Sequence, residues 1–255
     1  MINKLNHEIA GSGPPVVLLH PVGLDLTFLA PVATVLARYF TVLSVDQRGH
    51  GKSQANSPAS GLDDYAEDLH ALLAELKIVR PALVGFSFGG MVAQAFAIRY
   101  PGAISALVPC ACPPTLSPEG RVVARARGDD ARKDGMSAVL EATLDRWFTP
   151  AFRVAGQDQA VRRHLLSHNV EGWAQAWYAI GGIDTLPRLH EVRVPALCIA
   201  GELDKSSPPP IVRTIADAIP GALYAELKGA PHMLFMEQPE ETARIASGFL
   251  QQVLK

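Results

Sequence analysis

Ser87 lies in Leu83-Val84-Gly85-Phe86-Ser87-Phe88-Gly89-Gly90, a G-x-S-x-G string between a short apolar run and a segment of helical periodicity. Such a string puts one hydroxyl on a sharp strand-to-helix corner, a nucleophile elbow. Gly85 and Gly89 keep Cβ atoms out of that corner. Met91, Val92, Ala95 and Phe96 recur at helical spacing behind it, which sets the serine at a positively polarised helix N-terminus. A serine hydroxyl is a weak nucleophile near neutral pH, so it needs a histidine base and a carboxylate that fixes the histidine's tautomer. The C-terminal third supplies both. Ala196-Leu197-Cys198-Ile199-Ala200-Gly201 reads as a buried strand that ends in Glu202-Leu203-Asp204, at the strand end where catalytic groups collect. Asp204 is the expected acid, with Glu202 as the alternative. His232, in Lys228-Gly229-Ala230-Pro231-His232-Met233, is the expected general base and acid. Attack on a carbonyl also needs donors for the developing oxyanion. The expected donors are the Phe88 N–H and the Val22 N–H of His20-Pro21-Val22-Gly23, where Pro21 has none to give.

The remaining histidines carry less. His50, in Asp46-Gln47-Arg48-Gly49-His50-Gly51-Lys52-Ser53, reads as part of a structural turn network after an apolar strand. Nothing converges on His7, His70, His164, His168 or His190, and solvated or capping roles are expected for them.

To position these groups, strands are expected near 16–20, 41–46, 82–86, 104–110, 196–201 and 222–227, separated by helices. That pattern describes an α/β fold with a mostly parallel central sheet covered on both faces. Strand signals stop between about 115 and 186, and Met136, Val139, Leu140, Leu144, Trp147 and Phe148 trace an amphipathic helical face. The expected organisation is a core of 1–115 and 187–255 interrupted by a helical cap, 116–186, with Pro113-Pro114 and Pro187 at its hinges. All three tryptophans, Trp147, Trp173 and Trp177, fall in the cap. A substrate pocket walled by Trp147, Phe148, Trp177 and Met233 is expected, with packing in the cap's own core the equal alternative for each tryptophan; Arg146 is either a partner for a substrate carboxylate or an exposed arginine. Arg121, Arg125, Arg127, Arg132 and Lys133, interrupted by Asp129 and Asp130, read as a solvated helix face, with steering of an anionic substrate as the alternative.

At 255 residues the chain is long enough for one large core with an insertion. A net charge of −2 and a pI near 6.4 offer no basic stripe to displace counterions from phosphates, which argues against a nucleic-acid partner. The N-terminal Met1-Ile2-Asn3-Lys4-Leu5-Asn6-His7-Glu8 lacks a signal peptide's apolar run, and no later stretch is long enough to cross a bilayer, so a soluble, cytoplasmic protein without a membrane partner is expected. Cys110, Cys112 and Cys198 fit no zinc spacing and read as buried reduced thiols. Neither a metal nor a cofactor is expected.

Taken together, His20-Pro21-Val22-Gly23, Asp46 to Ser53, the Ser87 elbow, Asp204 and His232 resemble the α/β-hydrolase superfamily over essentially the whole chain, in its Ser…Asp…His order. Within it the chain is most similar to the 3-oxoadipate enol-lactonase branch and its carboxylesterase relatives, through Gly89-Gly90-Met91, Gly135-Met136 and Arg146-Trp147-Phe148-Thr149-Pro150. The resemblance implies cofactor-free hydrolysis of an enol-lactone in aromatic-acid catabolism. It departs at Ala179-Ile180-Gly181-Gly182, where those lactonases carry Ala-Ile-Arg-Asp, an arginine suited to a substrate carboxylate. The serine at the elbow argues against dehalogenase and epoxide hydrolase chemistry, which uses an aspartate there. A general carboxylesterase, a carbon–carbon bond hydrolase, a cofactor-free perhydrolase and, outside enzymes, a hydrolase-fold ligand receptor are the alternatives.

Overall fold

The computed structural model describes residues 4–55, 59 and 61–254, so Met1 to Asn3 of the N-terminal segment read above lie outside the described residues. The first half runs β1 (His7–Ala10), β2 (Pro15–Leu19), a 3-10 turn into α1 (Ala30–Leu36), β3 (Thr41–Val45), α2 (Leu62–Glu75), β4 (Ala82–Phe86), α3 (Phe88–Arg99) and β5 (Ala106–Cys110). Helices follow without a named strand among the described residues: α4 (Pro118–Asp134), α5 (Met136–Trp147), α6 (Pro150–Val154), α7 (Gln159–Ser167) and α8 (Val170–Gly181). The chain closes with β6 (Leu197–Gly201), α9 (Pro209–Ala218), β7 (Leu223–Leu227), α10 (Leu234–Glu237) and α11 (Pro239–Val253).

The strands form one sheet in the order β1-β3-β2-β4-β5-β6-β7, parallel throughout except for β1, which runs antiparallel on β3. The expected mostly parallel α/β sheet is therefore present, its six expected strands within two residues of the observed ones. β1 is an addition that the sequence did not announce. Every residue of β4, β5 and β6 is buried, as expected of central parallel strands covered on both faces. α3 is buried along nearly its whole length, from Phe88 to Ile98, so its sequence is apolar all round instead of striped. α11 starts on Pro239 and turns Phe249 and Leu250 into the core.

The order matters for the site. After β2 the chain moves to β3 on one side, and after β4 it moves to β5 on the other. The carboxyl ends of β2 and β4 therefore flank a crevice at the point where the winding reverses, the usual ligand position in open α/β sheets. Ser87 follows β4 and the His20-Pro21-Val22-Gly23 turn follows β2.

The helical stretch between β5 and β6 is stapled to the core at both ends. Thr115 and Asp184 form an isolated antiparallel bridge, and the buried Thr185 hydroxyl donates to Gln94 Oε1 on α3 at 2.7 Å. Further along, Thr149 donates through its N–H and hydroxyl to Glu237 at 2.7 and 2.8 Å. At Gly172 the backbone of α8 meets the Gly49 loop so closely that a Cβ on Gly172 would lie 2.0 Å from the Gly49 carbonyl.

Candidate active site

β4 delivers Ser87 at a corner where its own φ is +51°, a left-handed conformation that costs a non-glycine residue about 1–3 kcal/mol and persists only where its surroundings hold it. Here the Ser87 N–H donates to the Cys110 carbonyl at 2.8 Å, and close approaches on either side leave no room for Cβ atoms. One on Gly85 would lie 2.2 Å from the Gly89 carbonyl oxygen, and one on Gly89 2.3 Å from that of Leu19. The hydroxyl meets His232 Nε2 at 2.9 Å, and His232 Nδ1 meets Asp204 Oδ2 at 2.8 Å. All three residues are buried.

Asp204 is held by its own loop. Asp204 Oδ1 accepts the N–H groups of Ser206 and Ser207 at 2.7 and 2.9 Å, an Asx-type turn that leaves Oδ2 for the histidine. Glu202 is exposed, and its carboxylate accepts the Gly229 N–H at 2.7 Å, bracing the loop that carries His232. Of the two carboxylates at the end of β6, the one in line with the histidine is Asp204.

The turn after β2 leaves one N–H outside its own bonding. Leu24 N–H donates to the Pro21 carbonyl at 3.3 Å, Gly23 takes φ +73° at the third position, and the Val22 N–H stays outside the turn's own bonding. The Phe88 N–H, at the first turn of α3, is likewise an intrahelical orphan. Both lie at the ends of the two strands that flank the crevice. The buried His20 holds the turn: its Nδ1 bonds the Pro21 carbonyl at 2.7 Å and its Nε2 accepts the Gln47 N–H at 3.0 Å, while Gln47 Nε2 donates to the His20 carbonyl at 2.8 Å. That pattern fixes the neutral Nδ1–H tautomer, and burial pulls the His20 pKa down to about 4. Asp46 braces the neighbouring turn, accepting the N–H of Leu26 at 2.8 Å and of Lys52 at 2.9 Å. Beneath it the buried Arg48 pairs with Asp68 at 2.5 Å.

The sequence as a whole matches the alpha/beta hydrolase family model over residues 16–245. The chain belongs to that family. The hydrolase is 29% identical to 3-oxoadipate enol-lactonase 2 of Acinetobacter baylyi, covering 92% of this chain and 89% of the relative. It is 30% identical to the pimeloyl-[acyl-carrier protein] methyl ester esterase of Chromobacterium violaceum, covering 96% and 97%. The crystal structure of the enol-lactonase from Burkholderia xenovorans LB400 superposes with a TM-score of 0.92 at 32% identity, covering 98% and 97%.

The residues expected to wall a pocket in this hydrolase are distributed unevenly. Trp147 and Met233 are buried together at the His232 loop, where the Met233 N–H donates to the Trp147 carbonyl at 3.1 Å. Phe148 stacks on Phe152 at 5.0 Å between ring centroids and lines a cleft of about 580 Å³ beside Lys205. Trp177 is half-buried, 5.6 Å from Trp173, and Trp173 presses on the turn after β2 so tightly that a Cβ on Gly23 would lie 2.6 Å from its ring. Arg146 projects from an exposed position on α5. Arg127 of α4 is the less solvated of the two, and burial, with the nearby charge of Arg146, brings it down to about 10. Gly181 packs on α4, where its Cβ would lie 3.2 Å from Arg125 Cγ, and its carbonyl accepts from Arg121 at 3.3 Å.

One expectation needs correction. His168 is buried, not solvated: its ring lies 4.8 Å from that of His50, which in turn lies 5.2 Å from His20. His164, on α7, sits 6.0 Å from His168 and 5.0 Å from Phe28, with its Nδ1 3.8 Å from Asp25. A row of four imidazoles thus joins the turn after β2 to the α7–α8 junction. Burial lowers His50 to about 3 and His168 to about 2, so both rings are neutral. Gln94 carries no signal in the sequence, because no local pattern marks a glutamine on a largely buried helix as a tie to the far end of an insertion. Among the described residues no group of three or more His, Cys, Asp or Glu side chains is arranged to hold a metal ion, and no helix is long and apolar enough to cross a membrane.

Proposed function

We propose that the hydrolase cleaves a small ester or lactone through an acyl-enzyme on Ser87, and that its nearest activity is that of an enol-lactonase. The observation that carries this reading is the unbroken line Ser87 Oγ, His232, Asp204 at a left-handed corner on the winding switch point. His232 Nε2 takes the Ser87 proton as the oxygen attacks the carbonyl, and Asp204 holds the imidazole and offsets the charge it acquires. The tetrahedral oxyanion settles between the N–H groups of Val22 and Phe88, supported by the positive end of the 12-residue α3. Collapse expels the alcohol, which takes its proton from His232; for a lactone the leaving oxygen stays tethered to the acyl group. Water, deprotonated by the same imidazole, then releases the acid and restores the serine. Residues 116–186 act as a cap over this centre, with Trp147, Trp177 and Met233 as apolar walls.

The relatives support both branches, lactonase and methyl ester esterase, at similar identity. Gly181 is the residue that sets this chain apart from the lactonase pattern. The test is steady-state hydrolysis of 3-oxoadipate enol-lactone, generated in situ, beside short p-nitrophenyl esters and simple lactones, with wild type and Ser87→Ala. The expected result is a kcat/KM for the enol-lactone several orders of magnitude above the esters, abolished in Ser87→Ala. Preference for short esters assigns a carboxylesterase, and turnover of none of them overturns the reading.

A further inference from the structure

α4 lies along α8 through Ala124, Gly128 and Ala131, with Gly128 so close that a Cβ would meet the Tyr178 ring at 2.8 Å. Around this contact face its arginines divide into two edges. On one edge Arg121 reaches the Gly181 carbonyl and Arg132 reaches Glu171 and the Tyr178 hydroxyl, so the positive charge there is used. On the other edge Arg127 stands alone. Its guanidinium makes no hydrogen bond or ion pair with any described residue; its Cζ lies 4.7 Å over the Trp177 ring, and Asp130 acts on it only from a distance. The Trp177 indole N–H beside it is buried and has no acceptor among the described residues.

The backbone of this edge is tied through Trp173 to the turn after β2. The carbonyl of Arg127 accepts the Trp173 indole N–H at 3.1 Å, and Trp173 is the ring that presses on Gly23 in the turn carrying the Val22 donor. Arg127 and Trp177 are both donors with no acceptor capacity of their own. A partly buried cation and a buried N–H left unpaired are costly, and one ligand chemistry satisfies both: an anionic oxygen pair. The neighbouring positive charge of Arg146 raises the local potential in the same sense. An aromatic face under a guanidinium also holds its plane steady, which suits a fork-shaped contact to a carboxylate.

We propose that Arg127 and the Trp177 indole N–H bind a carboxylate carried several bonds from the scissile carbonyl, so that the substrates are half-esters or lactones of dicarboxylic acids. This rests on the serine-hydrolase reading for its chemistry, not for its binding site.

The test compares mono-4-nitrophenyl glutarate and adipate with their terminal carboxamides, which match them in length without the charge. The quantity read is the ratio of kcat/KM, acid over amide. Wild type is expected to favour the acid; Arg127→Met, which keeps the stem over Trp177, is expected to reduce that ratio roughly 10–100-fold through KM, the scale of a charged hydrogen-bonded contact. Trp177→Phe is expected to reduce it roughly tenfold, and Arg125→Met, on the solvated edge, to leave it unchanged. Calorimetry of free glutarate and adipate with Ser87→Ala, alone and combined with Arg127→Met, reads binding without turnover. Diacid binding that disappears with Arg127→Met supports the site even where wild type hydrolyses neither ester, in which case the hydrolase reading alone fails. A ratio unmoved by Arg127→Met, or diacid binding indifferent to it, overturns the proposal while the hydrolase reading stands.

Discussion

Replacing Asp204 by asparagine separates the two jobs its carboxylate performs. Oδ1 accepts two backbone N–H groups, from Ser206 and Ser207, and Oδ2 faces His232 Nδ1. An asparagine keeps the loop only by leaving its single carbonyl oxygen on those two donors, so its NH₂ turns towards His232. Nδ1 must then accept, the ring proton moves to Nε2, and Nε2 donates towards Ser87 Oγ where it should take a proton from it. A base held in the wrong tautomer costs about 10⁴ in kcat, or about 5.5 kcal/mol of transition-state stabilisation. The stability loss is smaller, about 1–3 kcal/mol, because both backbone donors keep their acceptor and only one amide hydrogen is left buried without one. Steady-state rates on an activated ester, with denaturant unfolding on the same samples, measure both. Glu202→Gln is the control: its amide oxygen still accepts the Gly229 N–H, and kcat is expected within about threefold of wild type. An Asp204→Asn enzyme within tenfold of wild type, or a Glu202→Gln enzyme down a thousandfold, would refute the assignment of the acid.

Ser87→Gly removes both the nucleophile and a Cβ held at φ +51°, so the inactive variant is expected to be about 1 kcal/mol more stable than Ser87→Ala by urea midpoint. Gly172→Ala forces a Cβ against the Gly49 carbonyl, and a loss of about 1–3 kcal/mol is expected in denaturant unfolding. Burial lowers His20, His50 and His168 to about 4, 3 and 2 in the folded chain against about 6.5 unfolded, so below about pH 6.5 the unfolded chain binds more protons and stability is lost as pH is lowered. Each ring contributes about 1.4 kcal/mol per pH unit, and His168→Phe, which keeps a ring against His50, is expected to flatten the stability–pH slope by about one proton between pH 4 and 6.

Much of the centre was legible because its constraints are local. A buried strand followed by Gly-x-Ser-x-Gly and a helix is the local pattern of a nucleophile elbow, made specific by Asp204 and His232 following in order, and Asp204-Lys205-Ser206-Ser207 carries the Asx-turn pattern that ties the carboxylate down. That same pattern, absent after Glu202, is a signal that distinguishes the two candidate acids. β1 escaped because an edge strand with one paired side and mostly exposed residues, His-Glu-Ile-Ala, has no apolar alternation to read. The imidazole row escaped for a different reason: His50 and His168 are separated by more than a hundred positions, and only the packing of α8 on the Gly49 loop brings them into contact. Arg127 looked like one charge in a solvated run. What singles it out is its helical phase relative to α8, which no inspection of charge alone supplies.

The claim on which the account depends is that turnover passes through an ester on Ser87. Intact-mass spectrometry of the enzyme, acid-quenched during hydrolysis of a slowly deacylating activated ester, tests it directly. One acyl group per chain, mapped to the peptide containing Ser87 and absent from Ser87→Ala, is the predicted result. Rapid hydrolysis with no adduct in wild type, and an undiminished rate in Ser87→Ala, would contradict it.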